Sequence, residues 1–93
     1  MNLRWSSKFR RALKKILRQT PQKKELFSST LLLLQQDPFQ PQLHTHKLKG
    51  DLKHCWACYV EYDIRIVFTF VVNPDTSHRE ILLLGIGSHD EVY

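Results

Sequence analysis

Hydrophobic positions along the chain change period halfway, from 3.6 residues to 2. Phe9, Ala12, Leu13, Ile16 and Leu17 follow at offsets of 3, 4, 7 and 8, the apolar stripe of an amphipathic helix. Ser6 or Ser7 stands just before it and offers a hydroxyl to the first unpaired amides. Thr20-Pro21 reads as a second start, a cap hydroxyl ahead of a proline suited to a first turn. Leu26, Phe27, Thr30, Leu31, Leu33 and Leu34 continue the helical period to Gln36. Asp37-Pro38 stops it, because proline crowds the preceding residue out of helical angles.

Residues 37–50 form a proline-bearing connector ending at Gly50. Beyond it, Cys55–Tyr62 and Ile64–Val72 are rich in aromatic and β-branched residues and read as strands, with Asp63 near their turn. Asn73–His78 is a loop by composition, and Glu80–Ile86 is a third strand, apolar enough for the middle of a sheet. Met1–Arg4 has the pattern of a short edge strand. Helices first and strands afterwards predict an α+β fold, an N-terminal helical hairpin packed on one face of a small, mainly antiparallel twisted sheet. No repeat or boundary divides the chain, so residues 1–93 read as one domain.

Composition removes several classes. The 93 residues are 42% hydrophobic and 25% charged, which excludes collagen-like, low-complexity and wholly disordered chains. No purely aliphatic stretch is longer than Leu31–Leu34, far short of the roughly 20 residues a bilayer span needs. The opening MNLRWSSKFRR has no apolar signal core. The expected location is the cytoplasm, away from membranes.

Charge changes the picture more. The net +5 divides into +9 over residues 1–24, which hold no acid, and −4 over the rest. Lys8, Arg10, Arg11, Lys14, Lys15 and Arg18 fall largely off the apolar stripe, so the first helix is apolar beneath and basic outside. Such a block points to a polyanion, most often nucleic acid. An anionic membrane surface, an acidic protein or a merely solvated face are the competing readings.

Candidate chemistry is sparse. Cys55 and Cys58 spell C-x-x-C, but a structural zinc site needs four ligands and no second pair exists. Three apart on a strand, the two thiols face opposite ways, so packing is the expected role. Among five histidines, His46 and His89 stand beside glycine-containing turns at predicted strand ends, where side chains can converge over a sheet. His44, His54 and His78 lack that placement. Asp63 and Arg65, two apart, would share one strand face, either as an ion pair or as a carboxylate and guanidinium beside an anionic substrate. The terminal Gly87-Ser88-His89-Asp90-Glu91-Val92-Tyr93 reads as a polar tail, although Tyr93 could stack on a nucleobase.

Taken together, Asp37-Pro38, Thr45-His46-Lys47-Leu48-Lys49-Gly50, Asp63-Ile64-Arg65-Ile66-Val67-Phe68 and Gly87–Tyr93 resemble the RelE/StbE toxins of bacterial type II toxin–antitoxin systems. The YafQ-like branch is nearest. The resemblance implies a small cytoplasmic endoribonuclease that cuts mRNA, for most members in the ribosomal A site, and is silenced by a cognate antitoxin. By position, His46 matches the histidine of the family's H-x-L-x-G turn, Asp63 its acidic residue after the second-strand turn, and His89 the histidine of G-[ST]-H. Tyr93 matches the closing aromatic, and Arg65 the arginine of RelE-type and HigB-type toxins. The chain departs from YafQ-like members at Ile64, where they place a tryptophan, and at Tyr59, where some carry a histidine.

RNA cleavage by its own 2′-hydroxyl needs a base, an acid and positive charge for the phosphorane, and no metal or cofactor. The resemblance thus implies His46 and His89 as proton-transfer groups, Asp63 as base or orienter, Arg65 as phosphate clamp and Tyr93 as a base-stacking or orienting group. Lys47, Lys49 and Lys53 add nearby charge, while the basic helix would dock ribosomal RNA. The rivals are a ParE-like gyrase poison without nuclease activity and a non-catalytic basic nucleic-acid-binding module.

Overall fold

Each predicted element forms, with boundaries set by local chemistry. The computed structural model describes residues 1–88. Strand β1 (Leu3–Trp5) leads into α1 (Ser7–Gln19), where Ser6 is the cap and its Oγ accepts the Phe9 amide at 3.0 Å. A 3-10 turn at Pro21–Lys23 precedes α2 (Lys24–Gln36). Thr20 does not cap this second start. Its hydroxyl donates instead to the Ile16 carbonyl at 2.8 Å, finishing α1. The Asp37 amide closes α2 onto the Leu33 carbonyl.

The connector holds a 3-10 turn at Pro41–Leu43, the two-residue strand β2 (His46–Lys47) and another 3-10 turn at Gly50–Leu52. Gly50 supplies a φ of +68° there, in the region that favours glycine. Strands β3 (Trp56–Glu61), β4 (Ile64–Val72) and β5 (Arg79–Gly87) complete the sheet, in the order β1-β5-β4-β3-β2. Every pairing is antiparallel except that of β1 with β5. The third of the five positions belongs to β4 rather than to the apolar Arg79–Gly87 strand, which lies one place nearer the β1 edge.

The two helices cover one face. Phe9 and Leu13 of α1 and Phe27 and Leu34 of α2 pack with Leu43 onto Cys58, Val60, Ile66, Phe68, Ile81, Leu83 and Ile86. Phe9 and Phe27 are almost fully buried, and truncating either to alanine costs about 3–5 kcal/mol. Glu80 is buried where β1 meets β5, and accepts hydrogen bonds from Asn2 and Asn73 while Arg4 lies 3.8 Å away. Because β1 pairs only with Ile81–Leu83, the second half of β5 has no strand outside it among the described residues and runs beside α1, with the Ser6 amide bonded to the Leu83 carbonyl. No helix among the described residues is long and apolar enough to cross a membrane.

Candidate active site

The face of the sheet turned away from the helices can be read as cross-strand rows. Directly paired residues share a face, and residues two apart on a strand do likewise. His46 pairs with Ala57, Ala57 with Val67, and Val67 with Gly85, which makes one row. The adjacent row is Tyr59, Arg65 and Gly87, joined by His44, whose ring meets Tyr59 edge-on at 5.7 Å. Normal strand spacings separate the His46 and Arg65 backbones by about 12 Å, within reach of a shared nucleotide for two long side chains.

His46 lies in β2 rather than in a turn. Its Nδ1 is 3.1 Å from the His44 carbonyl. A carbonyl only accepts, so Nδ1 carries a proton in this contact. His44 holds a left-handed backbone, φ 46°, a strained setting for a residue with a Cβ and one often found beside functional sites.

Arg65 is fixed from two sides. Its guanidinium lies 4.9 Å over the Tyr59 ring. One terminal nitrogen, Nη1, donates to the carbonyls of Glu61, Tyr62 and Ile64 at 2.7, 3.2 and 3.1 Å. Those bonds close the β3–β4 hairpin and leave Nε and Nη2 as the donors for an anion. Asp63 does not share a strand face with Arg65, because Tyr62 and Asp63 form the turn itself, after a register shift between Tyr59 and Glu61. It is exposed at the hairpin tip, roughly 17 Å along the strands from the His46 row. It forms no ion pair with Arg65 among the described residues; Lys23 and Glu61 form the ion pair at this end.

A cleft of about 710 Å³ opens beside these rows. Val67, Gly85 and Gly87 line it from the sheet, Leu52 from the connector, and Lys8 and Lys15 from α1. A Cβ added to Gly85 would meet nothing within 4 Å, so the space over that residue is open. The basic helix is therefore sorted. Lys8 and Lys15 line the cleft, whereas Arg10, Arg11, Lys14 and Arg18 are exposed and do not. Lys49 and Lys53 are exposed on the connector, and Lys47 projects over Trp56 on the helix-bearing face.

The two thiols separate as well. Cys58 is buried in the core and burial pushes its pKa up to about 12, while Cys55 precedes β3 and is half-buried. Among the described residues no three His, Cys, Asp or Glu side chains gather into a group able to hold a metal ion. His89 and Tyr93 lie outside the described residues. His44 and Tyr59 are what sequence reasoning undervalued; their signal is strand register, which brings both into the row of Arg65.

The sequence model of the family described as bacterial toxin of type II toxin-antitoxin system, YafQ, matches residues 1–93. No curated protein matches the chain. Among solved structures, a copper-bound mutant toxin from Helicobacter pylori is 29% identical, covering 100% of this chain and 99% of that one, with a TM-score of 0.71. YafQ from E. coli is 14% identical over 99% and 97%, TM-score 0.77. A YoeB/ParE toxin from Agrobacterium tumefaciens is 18% identical over 96% and 99%, TM-score 0.77. The last two likenesses concern the fold alone.

Proposed function

The chain belongs to the YafQ family of toxins from bacterial type II toxin–antitoxin systems, and from that premise we propose that it is a metal-independent endoribonuclease acting on mRNA at the ribosome. Membership implies a cognate antitoxin. The observation that carries the catalytic reading is His46, its Nδ1 committed to the His44 carbonyl, on the same open face as Arg65 and beside a lysine-lined cleft.

In this reading His46 Nε2 takes the 2′-hydroxyl proton as that oxygen attacks the adjacent phosphorus. Arg65, through Nε and Nη2, and Lys8 and Lys15 stabilise the added negative charge of the phosphorane. The P–O5′ bond breaks and His89 protonates the departing oxygen. Asp63, at the hairpin tip, acts as base or orienter toward groups other than His46, and Tyr93 stacks on a base. The products are a 2′,3′-cyclic phosphate and a 5′-hydroxyl. Copper belongs to the Helicobacter relative; the steps here use none.

The direct test is cleavage of a translated mRNA beside a gyrase supercoiling assay. We expect cut ends of the stated chemistry, unchanged by chelator, with supercoiling unaffected. His46→Ala should lower cleavage by about 10²–10⁴-fold, the range of one acid–base group, and relieve growth arrest with the fold intact. Full toxicity in that variant would remove His46 from the mechanism, and gyrase inhibition without cleavage would favour the ParE-like alternative.

A further inference from the structure

On the helix-bearing face, at the end where β2 leaves the connector, the described residues place aromatic rings and cations together at the surface. Phe39, 51% exposed, stacks on Phe70 with centroids 5.9 Å apart and planes 30° apart. Trp56 meets both edge-on, 5.0 Å from Phe39 and 6.3 Å from Phe70. The Lys47 ammonium sits 5.9 Å over Trp56 and the Arg79 guanidinium 4.3 Å over Phe70. Neither cation has a carboxylate partner among the described residues. Asp37, two residues before Phe39, has one carboxylate oxygen engaged by the Phe39 amide at 2.9 Å.

A hydrophobic lid would bury Phe39 and need no cations. Half of Phe39 remains in water, and the two positive charges that flank the cluster have no carboxylate in ion-pair contact among the described residues. An acidic peptide would answer the cations but gives the ring no flat partner. Single-stranded RNA answers both, since every base offers a π face and every linkage a phosphate. The strand pattern also connects the patch to the cleft face. His46 and Lys47 are successive residues of the edge strand β2, so they project to opposite faces. An RNA strand crossing this short edge passes from one to the other.

We propose that Phe39, with Lys47 and Arg79 beside it, is a stacking platform for an unpaired base of RNA, outside the catalytic cleft. The identity of the strand rests on the nuclease reading, and the test separates the two. The probe is a short RNA oligonucleotide with every 2′-hydroxyl methylated, which cannot attack its own phosphates. The chain has two tryptophans, so Trp5→Phe leaves Trp56, inside the cluster, as the sole source of tryptophan emission. Titration should change Trp56 emission saturably. Phe39→Ala should weaken binding about tenfold, the size of one lost base–aromatic stack. Arg79→Gln, which keeps every ring, should weaken it less and flatten the salt dependence.

Emission indifferent to the oligonucleotide, or affinity unchanged in both variants, overturns the platform even in a chain that cleaves RNA. So does a Trp56 signal that responds to the antitoxin but not to the oligonucleotide. Phe39-dependent binding by a chain that cuts no RNA would uphold the platform and remove the nuclease reading instead.

Discussion

Cys55 and Cys58 stand three residues apart and experience opposite surroundings. The buried Cys58 thiol keeps its proton to about pH 12, against an ordinary value of 9.0, and a protonated thiol is a poor nucleophile and a poor ligand. A thiol reagent at neutral pH should therefore label the folded chain at Cys55 and spare Cys58 until denaturant is added; mass spectrometry of the labelled peptides gives the answer. The same burial has a thermodynamic sign. Above pH 9 the unfolded chain releases the Cys58 proton while the folded chain retains it, so unfolding becomes easier as pH rises from 9 towards 12. Below pH 9 this group contributes no slope. Denaturant midpoints across that window should fall more steeply for the native chain than for Cys58→Ala, and equal slopes would mean the thiol is solvated. His44 makes a complementary point, because its left-handed backbone aims a carbonyl at His46 and no feature of a single histidine announces that.

At the scale of elements, the cleft depends on what β5 lacks. Gly85 and Gly87 contribute no side chains, and the space over Gly85 is open. Gly85→Leu should fold normally, since leucine suits a strand better than glycine and its Cβ meets nothing. It should also cut RNA cleavage on the order of 10²-fold, the cost of displacing a reacting group by about 1 Å. Thermal melting with the cleavage assay separates the two effects, and undiminished cleavage would place the substrate elsewhere. Much of this scale was legible beforehand. The stripe from Phe9 to Leu17, the stop at Asp37-Pro38 and the strands to either side of Asp63 are local patterns, and local patterns survive folding. Register is not local. The bulge at Tyr59/Glu61 moves Asp63 out of the ladder, and the regular β3–β4 register ahead of it puts Tyr59 beside Arg65. Thr20 is not the cap its sequence suggests: its hydroxyl donates back to the Ile16 carbonyl and accepts no amide of the second start.

At the scale of the whole molecule, the charge of +9 over residues 1–24 is not one surface. Lys8 and Lys15 line the cleft, whereas Arg11, Lys14 and Arg18 form a separate exposed stripe. Converting Lys8 and Lys15 to Gln should weaken binding of an uncleavable RNA and reduce its logarithmic salt slope by about 1.4, two single-strand contacts of roughly 0.7 each. Converting Arg11, Lys14 and Arg18 to Glu should spare that binding and weaken association with ribosomes; filter binding and ribosome sedimentation distinguish the outcomes. An acidic segment of an antitoxin would complement either surface. The parallel pairing of β1 with β5 carries a consequence in time. Leu3 must wait for Ile81, its partner 78 residues later, and such a distant contact forms late. During synthesis the chain can build its helical hairpin before the strand that floors the cleft emerges. Until that strand pairs, a nascent copy holds only part of the lining of the cleft, and on the nuclease reading it spares the ribosome that is producing it.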